Sequence, residues 1–105
     1  MSGDTAFDRL DDVVHQRTRL GVLTILAEVN SASFTFLRDE LDLSDGNLSR
    51  HLRVLEEAGL VSITKSFKGR TPLTTVKATK AGRTALAGHL AALQEMINRV
   101  QGDPA

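Results

Sequence analysis

The sequence predicts a mainly α chain with one small β-hairpin, an α+β fold. Three features carry that expectation. Apolar residues recur at spacings of three and four through most of the length, the period of a one-sided helix. Between Val61 and Ala78 the period falls to two, as in a strand with one buried face. That stretch is interrupted by Lys68-Gly69-Arg70-Thr71-Pro72, which has the composition of a turn. With 105 residues, four of them Phe and none Trp or Tyr, residues 1–105 are expected to form a single domain around a modest aliphatic core.

Taken in order, residues 5–15 are expected to form a first helix, with Phe7, Leu10 and Val14 (or Val13) on one side. Three apolar residues in so acidic a segment are few for a core helix, which makes them candidates to cover a partner subunit. From Gln16 to Val29 the pattern is denser. Leu20, Val22, Leu23, Ile25, Leu26, Ala27 and Val29 describe a central helix buried on most sides. Asn30-Ser31-Ala32-Ser33 breaks it. Phe34-Thr35 reads as a short extended segment, with Thr35 capping a brief helix whose Phe36, Leu37 and Leu41 face inward.

Asp42-Leu43-Ser44 is then a tight connection to a second helix, about 44–58. Ser44 can cap it, with Asp45 favourable beside its positive end. Leu48, Leu52 and Leu55 fall on one face, and Gly59 follows the last turn as a stop. The opposite face carries Asn47, Ser49, Arg50 and Arg53, short or bidentate hydrogen-bonding groups that suit the major groove of DNA. Two helices across such a turn, the second with a polar outer face, make a helix-turn-helix. An ordinary amphipathic surface helix would share the pattern, so the flanking elements decide.

Val61, Ile63, Lys65 and Phe67 alternate with Ser62, Thr64 and Ser66 as one strand, and Leu73 to Ala78 supply a second. Their connection makes a basic hairpin tip. Thr79 caps a last helix over 80–101, which Gly102 and Pro104 end. In it Leu86, Leu90, Leu93, Ile97 and Val100 are spaced as an a/d seam about 20 Å long. A matching helix from a second copy, helped by Phe7, Leu10 and Val14, is expected to cover it. Packing against the first helix within one chain is the competing account.

Thirteen basic and thirteen acidic side chains cancel, but they are not mixed along the chain. Residues 1–46 carry a net −5, residues 47–83 a net +6 and the remainder −1. One segment therefore concentrates positive charge, as contact with a phosphate backbone requires. No cysteine occurs, which excludes disulfides, thiolate metal sites and cysteine nucleophiles. The acidic start MSGDTAFDRLDD has no apolar run of a signal peptide, and no stretch approaches a membrane span, so a cytoplasmic protein is expected.

The order of these elements resembles the winged-helix transcriptional regulators of the MarR and ArsR kind, above all the small stand-alone ones. The resemblance covers residues 16 to about 90. It is carried by Thr18-Arg19-Leu20-Gly21-Val22-Leu23-Thr24-Ile25-Leu26, by Phe34-Thr35-Phe36-Leu37, and by the long run from Leu43 through Gly59-Leu60-Val61. Gly69-Arg70 in the wing and Thr79-Lys80-Ala81-Gly82-Arg83 at the last helix complete it. It implies a winged helix-turn-helix core over 16–79, an N-terminal helix within 1–15 and a C-terminal dimerisation helix 80–101. It also implies a homodimer on a pseudo-palindromic operator in double-stranded DNA.

Carried over by position, Ser44, Asn47, Ser49, Arg50 and Arg53 face DNA, and Lys65, Lys68 and Arg70 belong to a wing about 65–72. The chemistry agrees. Asn47 can read adenine, Arg50 can read guanine, and Lys68 and Arg70 suit phosphates or a narrow minor groove. His51 reads as packed or phosphate-facing rather than base-reading. Asp45 departs from the pattern, since a carboxylate there repels phosphate, and it either caps the helix or accepts from a cytosine N4.

Metal-sensing members use cysteine pairs or Asp/His/Glu clusters. Here His15, His51 and His89 lie on different elements without ligand spacing, so no metal and no cofactor is expected. Nothing in the sequence identifies a small-molecule effector. No nucleophile–base pair, phosphate-binding Gly loop or paired carboxylate points to an enzyme. The remaining alternative is a winged-helix protein-interaction module without DNA binding, which leaves the eight cations between Asn47 and Arg83 unexplained.

Overall fold

A computed structural model of the chain describes residues 5–102. Its elements are α1 (Arg17–Glu28), β1 (Ala32–Ser33), α2 (Phe34–Glu40), α3 (Asp45–Glu57), β2 (Val61–Lys68), β3 (Thr71–Ala78) and α4 (Lys80–Gln101). The sheet is antiparallel, in the order β1-β3-β2. It is thus one strand larger than the expected hairpin, because Ala32 and Ser33 pair with Val76 and Thr75. The connection between α1 and α2 is thereby tied to the root of the wing.

Caps fix the helix starts. Ser44 accepts from the Asn47 N–H at 3.1 Å and Thr79 from the Gly82 N–H at 2.9 Å, as the sequence suggests. The cap of α2 is Ser33, not Thr35: its hydroxyl accepts from the Phe36 N–H at 3.0 Å, and the helix begins at Phe34. Shifting the start by two residues leaves Phe36 exposed instead of inward, while Leu37 is fully buried. Pro104 lies outside the described residues.

The expected first helix over 5–15 does not form. A single 3-10 turn spans Phe7–Arg9, followed by an irregular segment. Asp11 explains the break. Its carboxylate accepts from the N–H groups of Val13 and Val14 at 2.8 and 3.1 Å, drawing the backbone into a turn that competes with a helix. The same turn delivers Val14 into the centre of the core, together with Val22, Leu23, Leu37, Leu48, Leu55 and Val76.

The core is aliphatic throughout. Phe34 only borders it, and Phe7, Phe36 and Phe67 are exposed. Helix α1 buries Val22, Leu23 and Leu26, but it is not enclosed on most sides: Leu20, Thr24 and Ile25 line an open groove with Leu41.

The end of α3, the root of β2 and the start of α4 are locked together. Gly59, at φ +78°, ends α3 in the left-handed region. Its carbonyl accepts from the Thr79 hydroxyl at 2.7 Å, and the Leu60 carbonyl accepts from the Thr79 N–H at 3.0 Å. Gly82 then passes so close that a Cβ there would lie 2.0 Å from the Leu60 oxygen. This junction sets where the wing leaves the domain relative to α3.

Helix α4 buries Gly82, Leu86, His89 and Ala92 against its own chain. That stripe shares Leu86 with the expected seam and then departs from it to His89 and Ala92, since the small residues and the histidine permit closer packing than leucine would. Val14 and Leu86, expected at a subunit interface, are therefore core residues of the single chain. Leu93 is half-buried, whereas Leu90 and Ile97 are each 45% exposed and Val100 87%. Leu10 is half-buried beside the exposed Phe7.

Candidate nucleic-acid interface

Helix α3 presents its two faces as its sequence dictates. Leu48, Leu52 and Leu55 are buried, and Ser44, Ser49, Arg50 and Arg53 are exposed, with Asn47 half-buried between them. One turn apart, the Arg50 guanidinium donates to Asn47 Oδ1 at 2.6 Å. The bond uses one of the two lone pairs on that oxygen and one of the five arginine donors, so both side chains keep hydrogen-bonding capacity outward.

Between α3 and the sheet runs a groove lined by Ser49, Arg53, Lys65 and Thr74, with Ile63 and Leu52 at its floor. The wing root is thereby brought beside the outer face of α3. Asp45 and Glu56 also line it, so the groove is not uniformly positive. Asp45 neither caps α3 nor stands free. Its carboxylate accepts from Arg38 at 2.9 Å, across the turn between α2 and α3. Asp45 and Asp39 together push the Arg38 pKa further up, and Arg38 in turn offsets the carboxylate that would repel phosphate. Arg38 and Thr74 were not among the residues singled out from the sequence. An Arg and an Asp seven apart across a two-helix turn is the signal that points to the former. Lys68 and Arg70 sit at the exposed far end of the wing, away from the other candidates.

His51 is buried beneath α3, as its alternation with the leucines suggests. Its Nδ1 lies 3.3 Å from Arg19, whose Nε donates to the Val13 carbonyl at 2.6 Å. Burial, then the positive charges of Arg19 and Arg50, lower its pKa below the ordinary imidazole value. The ring ties α3, through Arg19, to α1 and the segment before it.

His15 and His89, unrelated in sequence spacing, meet in space. His89 Nδ1 accepts from the Asp11 N–H at 3.1 Å, which places its proton on Nε2, 3.0 Å from His15 Nδ1. Burial, reinforced by His15, lowers the His89 pKa. With the Arg9–Glu95 ion pair, this contact fastens the N-terminal segment to α4. Among the described residues no three His, Asp or Glu side chains are placed to hold a metal ion, and no helix is long and apolar enough to cross a membrane.

A helix-turn-helix whose second helix runs into a β-hairpin beside it defines a winged-helix protein. The chain belongs to the winged helix DNA-binding domain family, whose model matches residues 18–97. It is 34% identical over 84 residues to an uncharacterised protein of Methanocaldococcus jannaschii, a match covering 79% of this chain and 90% of that one. It is also similar to the structure of a transcriptional regulator homologue from Pyrococcus horikoshii, with 34% identity and a TM-score of 0.80 over 84% of this chain and 87% of that one. At 19% identity, the fold is shared with the Mycobacterium tuberculosis transcriptional regulator MOSR, solved in complex with DNA. The TM-score there is 0.67, over 87% of this chain and 65% of that one. The chain thus has a winged-helix transcriptional-regulator fold.

Proposed function

We propose that the chain is a sequence-specific regulator of transcription that binds double-stranded DNA as a homodimer. The observation that carries the reading is the outer face of α3. Asn47, Ser49, Arg50 and Arg53 project from a helix held rigidly by its leucine face, and the groove beside it continues to Lys65. In this reading α3 enters the major groove. Ser44 and Ser49 contact phosphate or base edges, Asn47 and Arg50 read bases, and Arg53 and Lys65 bridge to the backbone. The wing residues Lys68 and Arg70 lie along the flanking backbone or minor groove.

The second copy is supported by shape and by exposed apolar surface. The radius of gyration is 15.8 Å, against about 13 Å for a compact chain of this length, so the chain is elongated. On α4 Val100 is largely exposed and Leu90 and Ile97 only partly covered, and Phe7 is exposed on the segment that packs beside it. A two-fold axis along α4 buries these side chains and presents two α3 helices to one duplex. The reading requires no metal, cofactor or catalytic step.

Selecting bound duplexes from a random DNA pool tests both halves of it. The expected product is an inverted repeat with half-sites about one helical turn, 10–10.5 base pairs, apart. Enrichment of no sequence, or of single unrepeated sites only, overturns the reading.

A further inference from the structure

Two enclosed histidines on different helices are tied to one short segment. His51 on α3 is 9% exposed and His89 on α4 only 1%. The Asp11 N–H donates to His89 Nδ1 at 3.1 Å, and His15 meets the other nitrogen of that ring at 3.0 Å. Between these two residues, the Val13 carbonyl accepts from Arg19 Nε at 2.6 Å, and the same guanidinium lies 3.3 Å from His51 Nδ1. Val14, wholly buried, seats the segment in the core.

Both Nδ1 atoms face groups that can only donate, an amide N–H and a guanidinium, so each must offer a lone pair. His89 then carries its proton on Nε2 and gives it to Nδ1 of the exposed His15. A proton added at any of the three Nδ1 atoms sets two donors against each other and cancels the bond. The charges facing His51 are Arg19 from α1 and Arg50 from its own helix, and both oppose a proton there. Those facing His89 are His15, which opposes one, and Asp11, which favours it less than burial disfavours it. Further along α4, Glu95 is paired with Arg9.

We propose that residues 11–16 are an acid-released strap, closed while His51 and His89 accept hydrogen bonds through Nδ1 and opened when protons turn those acceptors into donors. Because both imidazoles titrate below the ordinary value when docked, the open strap binds more protons. Closure is therefore complete above about pH 6.5 and is lost as the pH falls. Opening removes an anchor that α3 and α4 share. The strap needs no DNA to open, so its test stands apart from the DNA-binding reading.

The chain has no cysteine, which lets a single thiol report on one site. Val14→Cys places it on the strap, and Val76→Cys places a matched one at an equally buried position of β3. Each is labelled with a dithiodipyridine, which thiols attack in acid as well as at neutral pH, and each rate is divided by that of the same variant unfolded in urea. Both thiols should be protected at about pH 7.5. At about pH 5 the Val14→Cys rate should rise at least about tenfold and the Val76→Cys rate far less, as local rather than global opening requires. Adding His51→Asn and His89→Asn, which keep an acceptor oxygen near each Nδ1 but do not titrate, should abolish the rise; His89→Asn alone should reduce it.

Equal rises at the two positions would mean global unfolding and overturn the proposal. So would a Val14→Cys thiol already reactive at neutral pH, one that stays protected in acid, or an acid response undiminished by His89→Asn.

Discussion

Arg50 and Asn47 are joined across one turn of α3 by a 2.6 Å hydrogen bond, so the two side chains proposed to read bases hold one another in place. Their contributions are consequently coupled. Arg50→Ala is expected to cost about 1–3 kcal/mol on a selected site and to relax base preference at one position. Adding Asn47→Ala should cost less than its separate effect, with a coupling of about 0.5–3 kcal/mol in a double-mutant cycle. Lys68→Ala, at the wing, should weaken all duplexes similarly. Strict additivity in the cycle, or equal loss of preference in the Arg50 and Lys68 variants, contradicts this division of roles.

Gly82 holds the junction between α3, the wing and α4. Gly82→Ala sets a methyl group against the Leu60 backbone, where no side-chain rotation can relieve it. A loss of roughly 1–3 kcal/mol or more is expected in urea unfolding. The change should be a shift of midpoint at unchanged slope. Stability equal to the wild type means that the close approach is absent in solution.

His51 and His89 make stability depend on pH. Both are neutral in the folded chain with lowered pKa values, burial being the first cause in each. On unfolding they recover an ordinary value of about 6.5, so the unfolded state binds more protons as the pH falls below that point. Stability is therefore full above about pH 6.5 and declines as acid is added. Replacing His89 with Asn keeps an acceptor for the Asp11 N–H and should reduce the slope between neutral pH and pH 5. A slope unchanged in that variant excludes His89 as a source.

The exposed row of α4 predicts the assembly. Ile97→Asp should give a monomer in sedimentation with helicity intact, because Ile97 lies outside the buried stripe of α4 and is 45% exposed. A dimer that survives the substitution would place the subunit contact elsewhere.

Most helices were legible because their signals are local. The leucine row and the Ser44 cap fix α3, Thr79 fixes the start of α4, and the shift to period two at Val61 fixes the wing. What was not legible depended on partners distant in sequence or on a side chain competing with the backbone. A two-residue strand at Ala32 is defined only by pairing with β3. The break at Asp11 comes from a side chain competing for backbone N–H groups, which apolar periodicity does not register. Likewise the buried stripe of α4 is built from Gly82, His89 and Ala92, and a search for large apolar residues passes over all three. Within the candidate interface, the outer face of α3 followed from spacing alone. The Arg38–Asp45 pair and the groove that Lys65 shares with Arg53 needed the chain to be folded.

The most direct test of the central claim is the salt dependence of duplex binding by the full chain, followed by fluorescence anisotropy of a labelled duplex. Log affinity should fall linearly with log salt, at about −0.9 for each phosphate neutralised, and the slope should become shallower by about one unit for each of Arg53, Lys65, Lys68 or Arg70 removed. Absence of duplex binding at low salt, or binding indifferent to salt, would contradict it.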